Sequence, residues 1–75
     1  MNPIKIWRQN NNLSQMQMAR LIGVSVTSVQ RWESGAALPR GRRLAKLAGK
    51  MGIEQDYLLA SLMRWRSEAV LPKEG

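Results

Sequence analysis

The sequence predicts an all-α fold, a compact five-helix domain, and three observations lead there. Its 75 residues suffice for one small domain and no more. Hydrophobic residues make up 44% of them, too many for an intrinsically disordered chain. Helix-starting and helix-stopping residues alternate along the chain and cut it into five segments joined by short turns. A domain of this size buries only roughly 60% of its unfolded surface, so the core is expected to be thin.

The first helix starts at Asn2 and Pro3, a cap followed by the residue best suited to a first helical position, and runs through Ile4 and Trp7 to about Gln9. Asn10, Asn11 and Asn12 have poor helix propensity and mark a turn. Ser14 with Gln17 three residues on is a capping box for the second helix, which carries Met18, Ala19 and Ile22 on one face and stops at Gly23. Ser25 caps a third helix with Val29 and Trp32 on its inner face, ending at Gly35. Residues 36–39 form a loop. A fourth helix spans about Arg40 to Met51 with Leu44, Leu47 and Met51 inward, and Gly52 ends it. A fifth covers about Glu54 to Trp65 with Tyr57, Leu58, Leu62 and Trp65 as its apolar stripe. The domain is thus expected over residues 1–66. Residues 67–75 read as a loose tail, in which Val70 and Leu71 can add a short strand or an apolar contact to a partner.

Charge narrows the partner. Twelve Lys and Arg oppose five Asp and Glu, with a sequence pI near 11.3. Residues 1–50 hold nine basic side chains against Glu33 alone, a net charge of +8, whereas residues 51–75 hold three against four, or −1. An anionic partner for the first two thirds follows, nucleic acid first and an acidic membrane surface second. The chain has no cysteine and no histidine, which removes disulfides, the commonest zinc ligands, cysteine nucleophiles and histidine bases. Only Glu54 and Asp56 among the acids lie close in sequence, and two residues apart on a helix they face different sides. The glycines match no phosphate loop. No enzyme activity, cofactor or metal site is therefore expected. No secretory leader or membrane span is visible, and a cytoplasmic protein is the expectation.

Residues 14–35 carry the functional signal. Two short helices meet at a tight turn containing Gly23, and the second presents Thr27, Ser28, Gln30, Arg31 and Ser34 on a polar, carboxylate-free surface. A helix that enters the major groove needs donors and acceptors for base edges and no negative charge against the phosphates. This spacing suits a helix-turn-helix; an ordinary helix pair in a basic bundle remains the alternative on spacing alone.

The run LSQMQMARLIGVSVTSVQRWESG (Leu13–Gly35), followed by Pro39, Leu44–Leu47–Ala48 and Tyr57–Leu58–Leu59, resembles the Cro/cI-type (XRE-like) helix-turn-helix family over roughly residues 3–62. The resemblance implies a lambda-repressor-like domain that binds double-stranded DNA. It places Gln15 on backbone phosphate and Ser25, Val26 and Thr27 at the opening of the recognition helix. Arg31 falls at a position that commonly reads a base, with Ser28 and Gln30 as secondary candidates, and Arg40 where relatives grip phosphate. Arg42 and Arg43, with Lys46 and Lys50 behind them, divide between phosphate ligands and solvated surface. Val26 and Thr27 depart from the paired glutamines of some relatives, so the operator cannot be carried over, and Ala36 and Ala37 stand where a lysine or asparagine is common.

The resemblance also implies an ion pair between Arg8 and Glu33, and it puts Trp32 in the core. Met16, Leu21 and Met63 fall on outer faces by helical phase. Leu59, Leu62, Met63 and Trp65, with Val70 and Leu71, form a candidate dimer patch, since family members usually bind pseudo-palindromic operators as two-fold homodimers. A phage or bacterial repressor or Cro-like transcription regulator is the leading expectation. An antitoxin-type module whose fifth helix and tail hold a toxin is the alternative from another class. A controller-type activator touching RNA polymerase through Glu54 and Asp56 is the nearer variant. A basic RNA-binding bundle would need exposed stacking aromatics that this sequence lacks.

Overall fold

The computed structural model describes residues 1–70. It contains α1 (Pro3–Asn10), α2 (Gln15–Ile22), α3 (Val26–Ser34), α4 (Gly41–Met51) and α5 (Gln55–Val70), and no strand among the described residues. Three helix starts are closed by the side chains that the sequence nominates. The Asn2 carboxamide oxygen accepts from the Lys5 N–H at 2.9 Å. Ser14 and Gln17 complete their reciprocal box at 3.0 and 2.7 Å. The Ser25 hydroxyl accepts from the Ser28 N–H at 3.2 Å. Each bond satisfies an amide that the helix itself leaves unpaired. In the α1–α2 turn, Asn12 takes a left-handed φ of 56°, a conformation asparagine tolerates better than most residues.

One core gathers all five helices. Ile4 from α1, Met18, Ala19 and Ile22 from α2, and Val29 and Trp32 from α3 meet Leu44, Leu47 and Ala48 of α4 and Leu58 and Leu62 of α5. Trp7, Val26, Met51, Ile53 and Leu59 seal its margin. α2 packs chiefly on α3 and α4 chiefly on α5, while α1 lies against both α3 and α5. Two expectations for α5 change here. Tyr57 is 66% exposed and is no part of the inward stripe. The helix also continues past Trp65 to Val70, because no glycine or proline interrupts it before Pro72.

Polar groups bind the first three helices together. Arg8 Nε donates to Glu33 Oε2 at 2.7 Å and its Nη2 to Glu33 Oε1 at 2.9 Å, a bidentate pair with side chains only 12% and 5% exposed. Arg8 Nη1 donates to the Leu13 carbonyl at 2.9 Å, and Gln15 Nε2 reaches Glu33 Oε1 at 3.1 Å. The hydrogen bond to Glu33 raises the Arg8 pKa from its already high ordinary value; burial opposes this, and the nearby carboxylate charge adds to it. The Asn2 amide, capping α1 with its oxygen, donates through nitrogen to the Trp32 carbonyl at 3.0 Å and more loosely to that of Glu33 at 3.4 Å. Glu33→Ala or Arg8→Ala alone strands a buried charge and is expected to lower stability by about 3–5 kcal/mol. The double replacement Arg8→Met with Glu33→Leu is expected to recover most of that loss. Urea unfolding of the two single variants and the double variant measures the difference, and a double variant destabilised by the sum of the two single losses would refute a coupled pair.

Candidate nucleic-acid interface

α2 and α3 form two short helices joined by Gly23, Val24 and Ser25, with the N-terminus of α2 held against the C-terminal turn of α3 through Gln15 and Glu33. Thr27, Gln30, Arg31 and Ser34 are exposed on α3, spaced three and four residues apart on its outer side. Opposite them, Val29 and Trp32 are buried. A polar face on a helix anchored by an apolar one can be laid in a groove without distorting the core. Ser28 is half-buried, and its hydroxyl lies 3.1 Å from that of Ser25, so both serve the helix start as well as any ligand. Val26 is half-buried and packs against the core, which limits it to an edge contact. Gln15 is half-buried too, with one amide hydrogen committed to Glu33.

The second part of the surface lies at the start of α4. Its cap position is Arg40, which provides no side-chain hydrogen bond to the helix. The first amides of α4 thus have no side-chain acceptor at the cap, and a helix start of this kind attracts anions through its N–H groups and its dipole. Arg40, Arg42 and Arg43 are exposed around it, and together with Trp32, Leu38 and Pro39 they line a hollow of about 340 Å³. That hollow carries three guanidinium-bearing residues and no carboxylate. Trp32 joins the two parts, since it is buried in the core beneath α3 and also lines the hollow beside α4.

Residues 4–58 match the family model described as helix-turn-helix. The chain belongs to the Cro/cI-type helix-turn-helix family. It is also 39% identical over 61 residues to the cryptic phage CTXphi transcriptional repressor RstR of Vibrio cholerae serotype O1 (strain ATCC 39315 / El Tor Inaba N16961). That alignment takes in 81% of this chain and 52% of the relative, so the chain spans about half the length of the repressor it matches. No solved structure matches it significantly.

Other site expectations change in place or sidedness. Leu62 is fully buried in the core and offers nothing to a dimer patch. Leu59 and Trp65 are half-buried, and Met63 is 54% exposed. The Val70 side chain and Leu71 lie outside the described residues. Lys46 and Lys50 sit away from the start of α4, beside the end of α2. Sequence reasoning gave Asn2 no role beyond its cap and Gln15 no bond to Glu33, because both partners lie far along the chain. It also missed the packing of α5 on the end of α3: a Cβ added to Gly35 would stand 3.3 Å from Trp65 Cη2 and Cζ3.

Gly35 and Gly52 separate backbone strain from that packing. Both adopt positive φ, 86° and 72°, but a Cβ on Gly52 would meet nothing within 4 Å. Gly52→Ala is expected to cost about 1–2 kcal/mol from left-handed backbone strain alone. Gly35→Ala should cost more and shift the Trp65 fluorescence, which Gly52→Ala should leave unchanged. Thermal unfolding and emission spectra of the two variants test this, and equal costs with unshifted spectra would dissociate Trp65 from the end of α3.

Proposed function

We propose that the protein is a non-enzymatic transcription regulator that binds operator DNA with α3 in the major groove. The observation that carries this reading is the exposed, carboxylate-free face of α3 beside an uncapped α4 start ringed by three arginines. In such an arrangement the first surface reads base edges and the second grips the flanking phosphates. The resemblance to a phage transcriptional repressor supports repression by occupancy of a promoter. Arg31 and Thr27, one turn apart on α3, are the residues assigned to base reading. Arg40, Arg42 and Arg43 are assigned to phosphate, with Gln15 and Ser25 steadying the helix entrance.

Binding as a homodimer to an inverted repeat completes the proposal, since one short recognition helix gives modest affinity and family half-sites lie about 34–36 Å apart. The surface available for it on α5 is revised by burial. Tyr57 and Met63 are exposed, with Ala60 between them at helical spacing, and they replace Leu62 as the apolar contact.

Affinity selection from a random duplex pool, followed by salt titration, tests the reading. A pseudo-palindrome with half-sites one turn apart is expected, and affinity without any preferred sequence would overturn it. On the selected site, Arg31→Ala should lose about 1–3 kcal/mol of discrimination at one base pair per half-site. Arg40→Ala should weaken specific and random duplexes alike and make the salt slope shallower by roughly 0.9 for each phosphate it no longer neutralises. Met63→Glu should shift sedimentation of the free protein toward monomer while leaving its helical circular dichroism intact. An unchanged dimer would move the interface off this face of α5.

A further inference from the structure

A second concave surface lies between the end of α2 and the latter half of α4, and the proposed DNA contacts do not use it. It encloses about 480 Å³, within the range of ligand sites. Ile22 and Gly23 line it from one side, with Leu21 44% exposed at its edge, while Ala45 and Gly49 keep the α4 wall low. Arg20, Lys46 and Lys50 converge on it, and no acid lines it. None of the three forms an ion pair among the described residues, where the sole one joins Arg8 to Glu33. Some of this charge answers the carbonyl ends of α2 and α4, each worth about −0.5 of a charge. Roughly two positive charges remain around an apolar floor, with an exposed leucine at its edge.

The shape and the chemistry favour one kind of occupant. A compact phosphate dianion binds best where helix amides point at it, but the α2 terminus facing this groove is the carbonyl end. Long duplex backbones are served by the arginines at the opposite end of α4, roughly 10 Å away at 1.5 Å per residue. An amphipathic helix can lay an apolar edge over the exposed Leu21 and Ala45 while carboxylates along its flanks reach the cations at the rim. We infer that the α2–α4 groove is a docking site for an acidic amphipathic helix of a partner protein. This surface is independent of the DNA-binding reading and leaves the exposed face of α3 free.

The test is a nitrogen-15 amide-shift titration of the full chain with a synthetic acidic amphipathic helical peptide, leucine on one face and glutamate on its flanks. Controls are the same peptide with lysine for glutamate, a scrambled acidic peptide of equal composition, and a short random duplex DNA. Saturable shifts confined to residues 20–23 and 45–50, with the acidic amphipathic peptide alone, are expected. Leu21→Ser and Lys46→Glu, both at exposed side chains, should each weaken the peptide by roughly tenfold. Leu21→Ser should leave duplex binding unchanged. Equal binding of the scrambled peptide would reduce the groove to a diffuse charge effect and overturn the proposal. Shifts centred on residues 27–31 and 40–43, or duplex DNA perturbing the groove itself, would overturn it too, as would no perturbation at all.

Discussion

The bidentate pair between Arg8 and Glu33 is the constraint on which the remaining architecture depends. One carboxylate receives two guanidinium bonds from α1 and an amide bond from the first residue of α2, while sitting in the last turn of α3. A charge this buried is tolerable only when its bonding capacity is filled, and no buried side-chain polar atom among the described residues lacks a partner. Glu33 is also the only acid among residues 1–50, so Arg8 has no competing partner there. That uniqueness gives the pair a role in register: α3 can be seated against α1 and α2 in one way that leaves no charge stranded.

The same charge imbalance explains how the surface is divided. Of nine basic side chains in the first fifty residues, one, Arg8, forms an ion pair among the described residues. Those remaining repel one another, and α4 with its cap residue accommodates five of them by spreading them out, Arg40 at the cap, Arg42 and Arg43 in the first turn and Lys46 and Lys50 toward the end. Helix polarity then makes the two ends chemically different. The start adds unpaired amides to its guanidiniums and suits phosphate; the other end meets the carbonyl terminus of α2, which tempers the field and leaves room for an apolar contact. One short helix thereby holds two anion-attracting surfaces with different preferences.

Trp32 and Trp65 transmit the packing to the exposed residues. Trp32 is 3% exposed, fixing the inner side of α3 while bordering the hollow beside Arg40. Trp65 lies over Gly35 at the end of that helix, so the last turns of α5 brace the loop leading to α4. Neither tryptophan needs to touch a ligand to matter. Each removes freedom from side chains that do, and rigid placement is what a few well-aimed polar groups require for discrimination.

Short-range physics was legible in the chain. Asn2 with Lys5, Ser14 with Gln17, and Ser25 with Ser28 are three residues apart, and the inner faces of α2 and α3 follow from strong helical periodicity, so each could be read from a few neighbours. The outward Arg31 and the arginines after Pro39 followed from the same phase and from family likeness. Tertiary structure alone decided what distant residues share. The second bond of Asn2 spans 30 residues and the Gln15–Glu33 bond 18, distances over which no local rule operates. Helical phase rightly put Leu58 and Leu62 inward on α5 and Met63 outward, but it also drew Tyr57 into the inner stripe, because Tyr57 stands next to Leu58 on a helix with apolar residues over much of its surface. Periodicity cannot set the edge of so broad an apolar face. Only the position of α4 and α1 against α5 determined that the buried side stops short of Tyr57.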